Sequence, residues 1–167
     1  MFSLCPMQAA DQAFSYQVYA STRLEEMAVL DWSLEQKEAF LRMQFEAQIR
    51  SYQLQFPQAR YEVILLDDVP AGRLITDRTP EEVLLIDIAL LPAFRGRGTG
   101  SEIVRRLQAE ATQTDRIVRL HVEAFNPAMH LYERLGFVKT ADQGIYQEMS
   151  WQPAGLGQET IGRSTGA

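Results

Sequence analysis

Between Arg95 and Gly100 the chain reads Arg-Gly-Arg-Gly-Thr-Gly, three glycines and two guanidinium groups in six residues. A glycine lets another group approach the backbone closely. A helix start carries unpaired amides and a partial positive charge. The residues that follow supply such a helix, because Ile103, Val104 and Leu107 recur at helical spacing while Arg105, Arg106 and Gln108 fall on the opposite face. The chemistry this predicts is capture of a phosphate by backbone amides at the exposed start of a half-buried helix.

Two common phosphate motifs are excluded by spacing. No Gly-Lys-Ser/Thr triplet follows the glycines, so the segment is not a P-loop. The dinucleotide fingerprint G-x-G-x-x-G is broken at Ser101 and Ile103. A second chemistry-bearing segment lies downstream. Ile117 to Phe125 alternates Val118, Leu120 and Val122 with Arg119, His121 and Glu123, as a half-buried strand does. It runs into Asn126-Pro127 and then into a short segment containing Leu131-Tyr132-Glu133-Arg134-Leu135-Gly136-Phe137.

Taken together, Arg95-x-x-Gly98-x-Gly100 and Leu131-Tyr-Glu-x-Leu-Gly-Phe137 resemble the acyl-CoA pyrophosphate loop and the following strand-helix signature of the GNAT superfamily of N-acetyltransferases. The resemblance covers Tyr61 to Trp151 well and the N-terminal part by pattern alone. It implies a mixed, mostly antiparallel sheet flanked by helices, whose parallel fourth and fifth strands splay apart. It also implies acetyl-CoA as cosubstrate, with no metal. Gly96 to Ser101, with Arg95, Arg97, Gly98, Thr99 and Gly100, would hold the pyrophosphate. The backbone of Ile88, Ala89 and Leu90 would bind the pantetheine arm as an added strand. Asn126 matches the family's strand-end Asn, but many members carry one more residue between that Asn and the Tyr, which leaves its reach toward pantetheine open.

Acetyl transfer to an amine needs a neutral nucleophile, a stabilised oxyanion and a proton for the departing thiolate. By the resemblance Tyr132 is the general acid, and attack is direct, within a ternary complex. The base is open between His121, an imidazole of the kind that commonly serves in proton transfer, Glu82, Asp87, Glu123 and solvent water. His130 is expected at the surface. Cys5 is expected to be a small buried hydrophobe and no nucleophile.

The amine acceptor, a small molecule or a peptide, is not legible. In the family the first two helices, their loop and the last hairpin wall its site, which nominates Glu25, Glu26, Trp32, Phe45, Gln48 and Tyr146; acidic and aromatic groups suit a cationic amine. An active N-acetyltransferase is the leading expectation. Its alternatives are a non-catalytic acyl-CoA-binding regulatory or interaction module and a protein that keeps only the scaffold.

The elements that must position these groups follow from pattern. A strand is expected at Phe2–Pro6 and a helix at 9–22 with Phe14, Val18 and Tyr19 inward. Ser33 and Gln36 form a capping box for a long helix to Tyr52, whose apolar positions are Phe40, Met43, Phe45, Ile49 and Tyr52. Strands 61–66 and 71–76 flank an Asp67-Asp68 turn. Strand 83–91 is nearly continuous in apolar residues, hence central, with Asp87 its one charge. Two strands, 137–140 and 145–151, close the fold. The 167 residues, 46% of them hydrophobic, suffice for one domain, expected over 1–152, with a flexible tail at 153–167. A net charge of -6 argues against nucleic acid as a partner. One cysteine forms no internal disulfide, and no apolar run is long enough for a membrane span, so a cytoplasmic setting is expected, with homodimerisation open.

Overall fold

The computed structural model describes residues 1–156. From residue 157 on, the expected tail lies outside the described residues. Among the described residues are seven strands, β1 (Phe2–Pro6), β2 (Arg60–Leu66), β3 (Val69–Arg78), β4 (Glu82–Leu90), β5 (Ile117–Glu123), β6 (Val138–Gln143) and β7 (Tyr146–Trp151); α1 (Gln12–Ala28) and α2 (Leu34–Gln55) follow β1, α3 (Thr99–Gln113) follows β4 and α4 (Ala128–Arg134) follows β5. The strands form one mixed sheet in the order β1-β2-β3-β4-β5-β7-β6. This is the α/β architecture implied by the resemblance, with β4 and β5 parallel.

Backbone contacts gather the described residues into two compact units, Met1–Thr76 with Asp87–Thr99, and Asp77–Ile86 with the described residues from Gly100 on. In the first, β1, β2 and β3 pair antiparallel. Asp67 and Asp68, at φ +48° and +65°, make the two-residue turn that the strand twist favours. Ser33 caps α2 as expected: Gln36 N donates to its Oγ at 3.1 Å, and Ser33 N donates to Gln36 Oε1 at 3.0 Å. Tyr19, Met27, Leu41 and Phe45 form one buried cluster between the two helices.

In the second unit β4 pairs with β5 over Glu82–Leu85 against Ile117–Leu120, and β4 itself runs on to Leu90. β5 pairs antiparallel with β7 on its other side, and β7 with β6. Helix α3 buries Ile103, Val104, Leu107 and Ala111, a stripe that recurs with the helical period.

Five expectations are corrected. Helix α1 runs to Ala28, six residues beyond the expected end, because no glycine or proline interrupts it. Met43 is 57% exposed while Leu41 is buried, so the inward face of α2 centres on Leu41 and Phe45. Gln108 is 9% exposed, and its amide donates to the Leu135 carbonyl at 2.8 Å, so a residue assigned to the outer face satisfies a helix-end acceptor instead. Cys5 is exposed, since β1 is an edge strand with only one neighbour. The strand expected to reach Phe125 ends at Glu123, where Asn126 N bonds the Glu123 carbonyl and turns the chain.

Candidate active site

The glycine-rich loop leaves its backbone uncovered immediately before a helix start. Leu91-Pro92 ends β4, a single 3-10 turn spans Pro92–Phe94, and α3 begins at Thr99. Gly96 and Gly98 sit at φ +78° and +80°, a region where a Cβ is disfavoured, and beyond their immediate chain neighbours neither has an atom within 4 Å of where a Cβ would be. The loop backbone is therefore bare on that side, which fits an incoming pyrophosphate. Its two arginines brace the loop: Arg95 Nε donates to the Leu90 carbonyl at 2.9 Å and its Nη2 to Ser21 Oγ at 3.4 Å. Arg97 donates to the Ala93 carbonyl at 3.2 Å and lies over the Phe94 ring. Thr99 is buried, whereas Ser101 is half-buried.

Ile88, Ala89 and Leu90 are all half-buried. β3 comes unusually close to them, since a Cβ on Gly72 would overlap the Ala89 carbonyl oxygen. Leu91 N donates to the Ala71 carbonyl at 2.8 Å, fixing the end of β4. One step back along β4 stands Asp87, held by Arg73 Nε at 2.7 Å. Arg73 is 1% exposed; it also donates to Gln48 Oε1 at 2.7 Å and to Ser15 Oγ at 3.4 Å, and its guanidinium lies over the rings of Tyr19 and Phe45. Two of the nominated acceptor residues, Phe45 and Gln48, are thus part of this buried arginine's surroundings. Nearby in the same unit Tyr61 has a buried hydroxyl with no hydrogen-bond partner, and burial pushes its pKa above the ordinary 10.0 against the pull of Arg73.

The second unit carries the other expected residues. Helix α4 ends in a Schellman motif: Phe137 N donates to the Tyr132 carbonyl at 3.0 Å, Gly136 N to that of Glu133 at 3.1 Å, and Gly136 takes φ +94°. The apolar contact such a stop favours is the one between Tyr132 and Phe137, whose ring centroids are 5.8 Å apart. The Leu-Tyr-Glu-x-Leu-Gly-Phe signature is therefore also a helix-stop sequence, and it holds Tyr132 at 6% exposure. The Cβ position of Gly100, in the first turn of α3, lies 3.9 Å from Leu131 on α4. Asn126 Oδ1 accepts from Ala128 N at 2.9 Å, so its side chain holds the turn that leads into α4.

On β5 the outward residues join a charged network. Arg119 donates to Glu148 Oε1 at 2.8 Å and to Glu82 Oε1 at 2.6 Å, while its Nε is buried without a partner. Thr140 donates to the other Glu148 oxygen at 3.1 Å. The Arg119 hydrogen bond holds the Glu148 carboxyl below its ordinary 4.5, with burial opposing. His121 Nε2 stands 3.9 Å from Glu148 Oε1, its side chain 39% exposed. Of the rival bases, Glu82 and Asp87 are each engaged by an arginine, and Glu123 is half-buried. His130, Glu25 and Glu26 are exposed, the last paired with Arg23 at 3.4 Å; Trp32 and Tyr146 are 42% and 44% exposed.

Arg73, Arg119 and Glu148 were not singled out from the sequence. The available signal was a charge at an inward position of a strand: Arg73 interrupts the apolar run Ala71 to Ile75, and Asp87 interrupts the run of β4. Among the described residues no group of three or more His, Cys, Asp or Glu is placed to hold a metal ion, and no helix is long and apolar enough to cross a membrane.

Comparison with known proteins shows the family and the fold. A family model described as the acetyltransferase (GNAT) family matches residues 23–137, more than half of the chain. No curated protein matches by sequence. Among solved structures, the PaiA N-acetyltransferase of Thermoplasma acidophilum in complex with coenzyme A is 15% identical with a TM-score of 0.68, covering 92% of this chain and 99% of that one. An acetyltransferase of Thermus thermophilus is 21% identical at a TM-score of 0.65 (92% and 97% covered). The ribosomal-protein-S18-alanine N-acetyltransferase of Escherichia coli is 20% identical at 0.59 (91% and 94%).

Proposed function

Since this chain belongs to the acetyltransferase (GNAT) family and is an acyltransferase, we propose that it moves an acetyl group from acetyl-CoA to a primary amine by direct attack in a ternary complex. The observation that carries the reading is the bare, left-handed backbone at Gly96 and Gly98 directly before α3. A pyrophosphate there meets helix-start amides and dipole with no side chain to displace. Arg95, Arg97, Thr99, Gly100 and Ser101 complete that loop. The Ile88–Leu90 backbone supplies the edge for pantetheine, while Asn126 acts by fixing the start of α4.

In the chemical step the amine nitrogen attacks the thioester carbonyl, the C–N bond forms and the C–S bond breaks. Tyr132 gives its phenolic proton to the leaving thiolate. The amine's proton passes to His121, directly or through water; its accessible imidazole, with the Glu148 carboxylate 3.9 Å away to balance a positive charge, supports this choice over the arginine-engaged Glu82 and Asp87. The test is calorimetry and thermal shift with CoA and acetyl-CoA, followed by a free-thiol assay on an amine panel. Ligand at ~100 times its Kd is expected to add about 2.7 kcal/mol to stability. A folded sample that binds neither ligand would sink the proposal.

A further inference from the structure

Turn tips are normally polar, built from Gly, Asn, Asp, Ser and Pro. Two adjacent turns of the second unit break that rule. The turn after β5, closed by Asn126 N to the Glu123 carbonyl at 2.9 Å, presents Phe125 at 95% exposure. The β6–β7 turn, between the paired Gln143 and Tyr146, presents Ile145 at 68% exposure. Ala124 N donates to the Ile145 carbonyl at 2.9 Å, so the two tips stand side by side, and Tyr146, cross-strand partner of Glu123, extends the apolar surface at 44% exposure. Large apolar side chains held out together mark an interaction surface.

The charges beside it define what it meets. Along the same strand face lie Glu123, then the His121–Glu148 pair, then Arg119 with Glu82, three carboxylates to one guanidinium. From His121 to Phe125 is two strand residues and a turn, roughly 10 Å, or the reach of about three extended residues. We propose that the acceptor is the amino end of a polypeptide whose first residues are apolar, its ammonium group entering at His121 and its second to fourth residues lying on Phe125, Ile145 and Tyr146. This rests on the reading of His121 as the base. A compact amine such as phenethylamine is too short to touch both ends, and a polyamine long enough to do so carries cations where the surface is apolar.

The experiment measures thiol release from acetyl-CoA with the peptides Ala-Leu-Phe-Leu and Gly-Ser-Asp-Ser, with phenethylamine and with spermidine, on the full chain and on Phe125→Ser and Ile145→Ser. The apolar peptide is expected to give a kcat/KM at least about tenfold above the others. Each variant should lose most of that preference while its acetyl-CoA Kd and melting temperature stay unchanged. Equal rates on the two peptides, or preference for either small amine, overturns the proposal. Calorimetry of each peptide against the CoA-loaded chain separates the two readings. Tight binding of the apolar peptide without turnover on any amine keeps the surface and removes the proposed activity, whereas turnover with no apolar preference does the reverse.

Discussion

Arg73 Nε lies 2.7 Å from Asp87 Oδ2, with the arginine side chain 2% exposed and the aspartate 22%. A guanidinium taken this far from water is tolerable because each of its nitrogens reaches a partner: Asp87 on β4, Gln48 on α2 and Ser15 on α1. Removing one member leaves a buried charge uncompensated, whereas removing both need cost little. Arg73→Met is expected to lose about 3–5 kcal/mol of stability in urea unfolding, and the double change with Asp87→Leu to recover much of it. Additive losses would show that the pair is not coupled.

The pyrophosphate loop makes a sharper prediction about binding than about folding. Gly98→Asp places a carboxylate in the open space where an anion is proposed to sit, and calorimetry is expected to register no CoA binding. Gly98→Ala should cost only the left-handed strain, about 1–2 kcal/mol. Unchanged CoA affinity in the aspartate variant would remove the loop assignment.

How much of this was legible in the sequence depends on which force set each feature. Turn and cap chemistry is local, so the Ser33–Gln36 box, the Asp67-Asp68 turn and the glycine loop could be read directly. Periodicity located the strands within a few residues and showed β4 to be central. It missed what tertiary contact decides: Gln108 is inward because the Leu135 carbonyl needs a donor. Cys5 faces solvent because β1 is an edge, and sheet order is not written in any one strand. The role of Glu148 was hidden because it depends on β7 lying between β5 and β6.

Gly136 links the helix stop to the proposed acid. At φ +94°, and with its Cβ position 3.2 Å from Trp151 Cδ1, an alanine there is both strained and crowded. Gly136→Ala is expected to lower stability by about 1–2 kcal/mol and, by loosening the Schellman hydrogen bonds that hold Tyr132, to reduce kcat more than it raises the acetyl-CoA Kd. Tyr132→Phe should reduce kcat with the melting temperature nearly unchanged. If Gly136→Ala lost stability but kept full kcat, the stop would have no part in placing the phenol.

Glu148 gives a pH-dependent prediction. Its carboxyl is held below the ordinary 4.5 chiefly by the Arg119 hydrogen bond, with Thr140 and the nearby charges of Arg119 and His121 adding to that and burial opposing it. A group whose folded pKa is depressed binds protons more weakly in the folded chain than in the unfolded one. Its contribution to stability is therefore present above the unfolded value and drains away as pH falls through the folded one. Glu148→Gln keeps the shape but cannot ionise, so urea unfolding should find it less stable than the parent near neutral pH, with the gap closing as pH drops below about 4.5. A gap that stayed constant down to about pH 3 would mean that packing, not the ion pair with Arg119, is what Glu148 contributes.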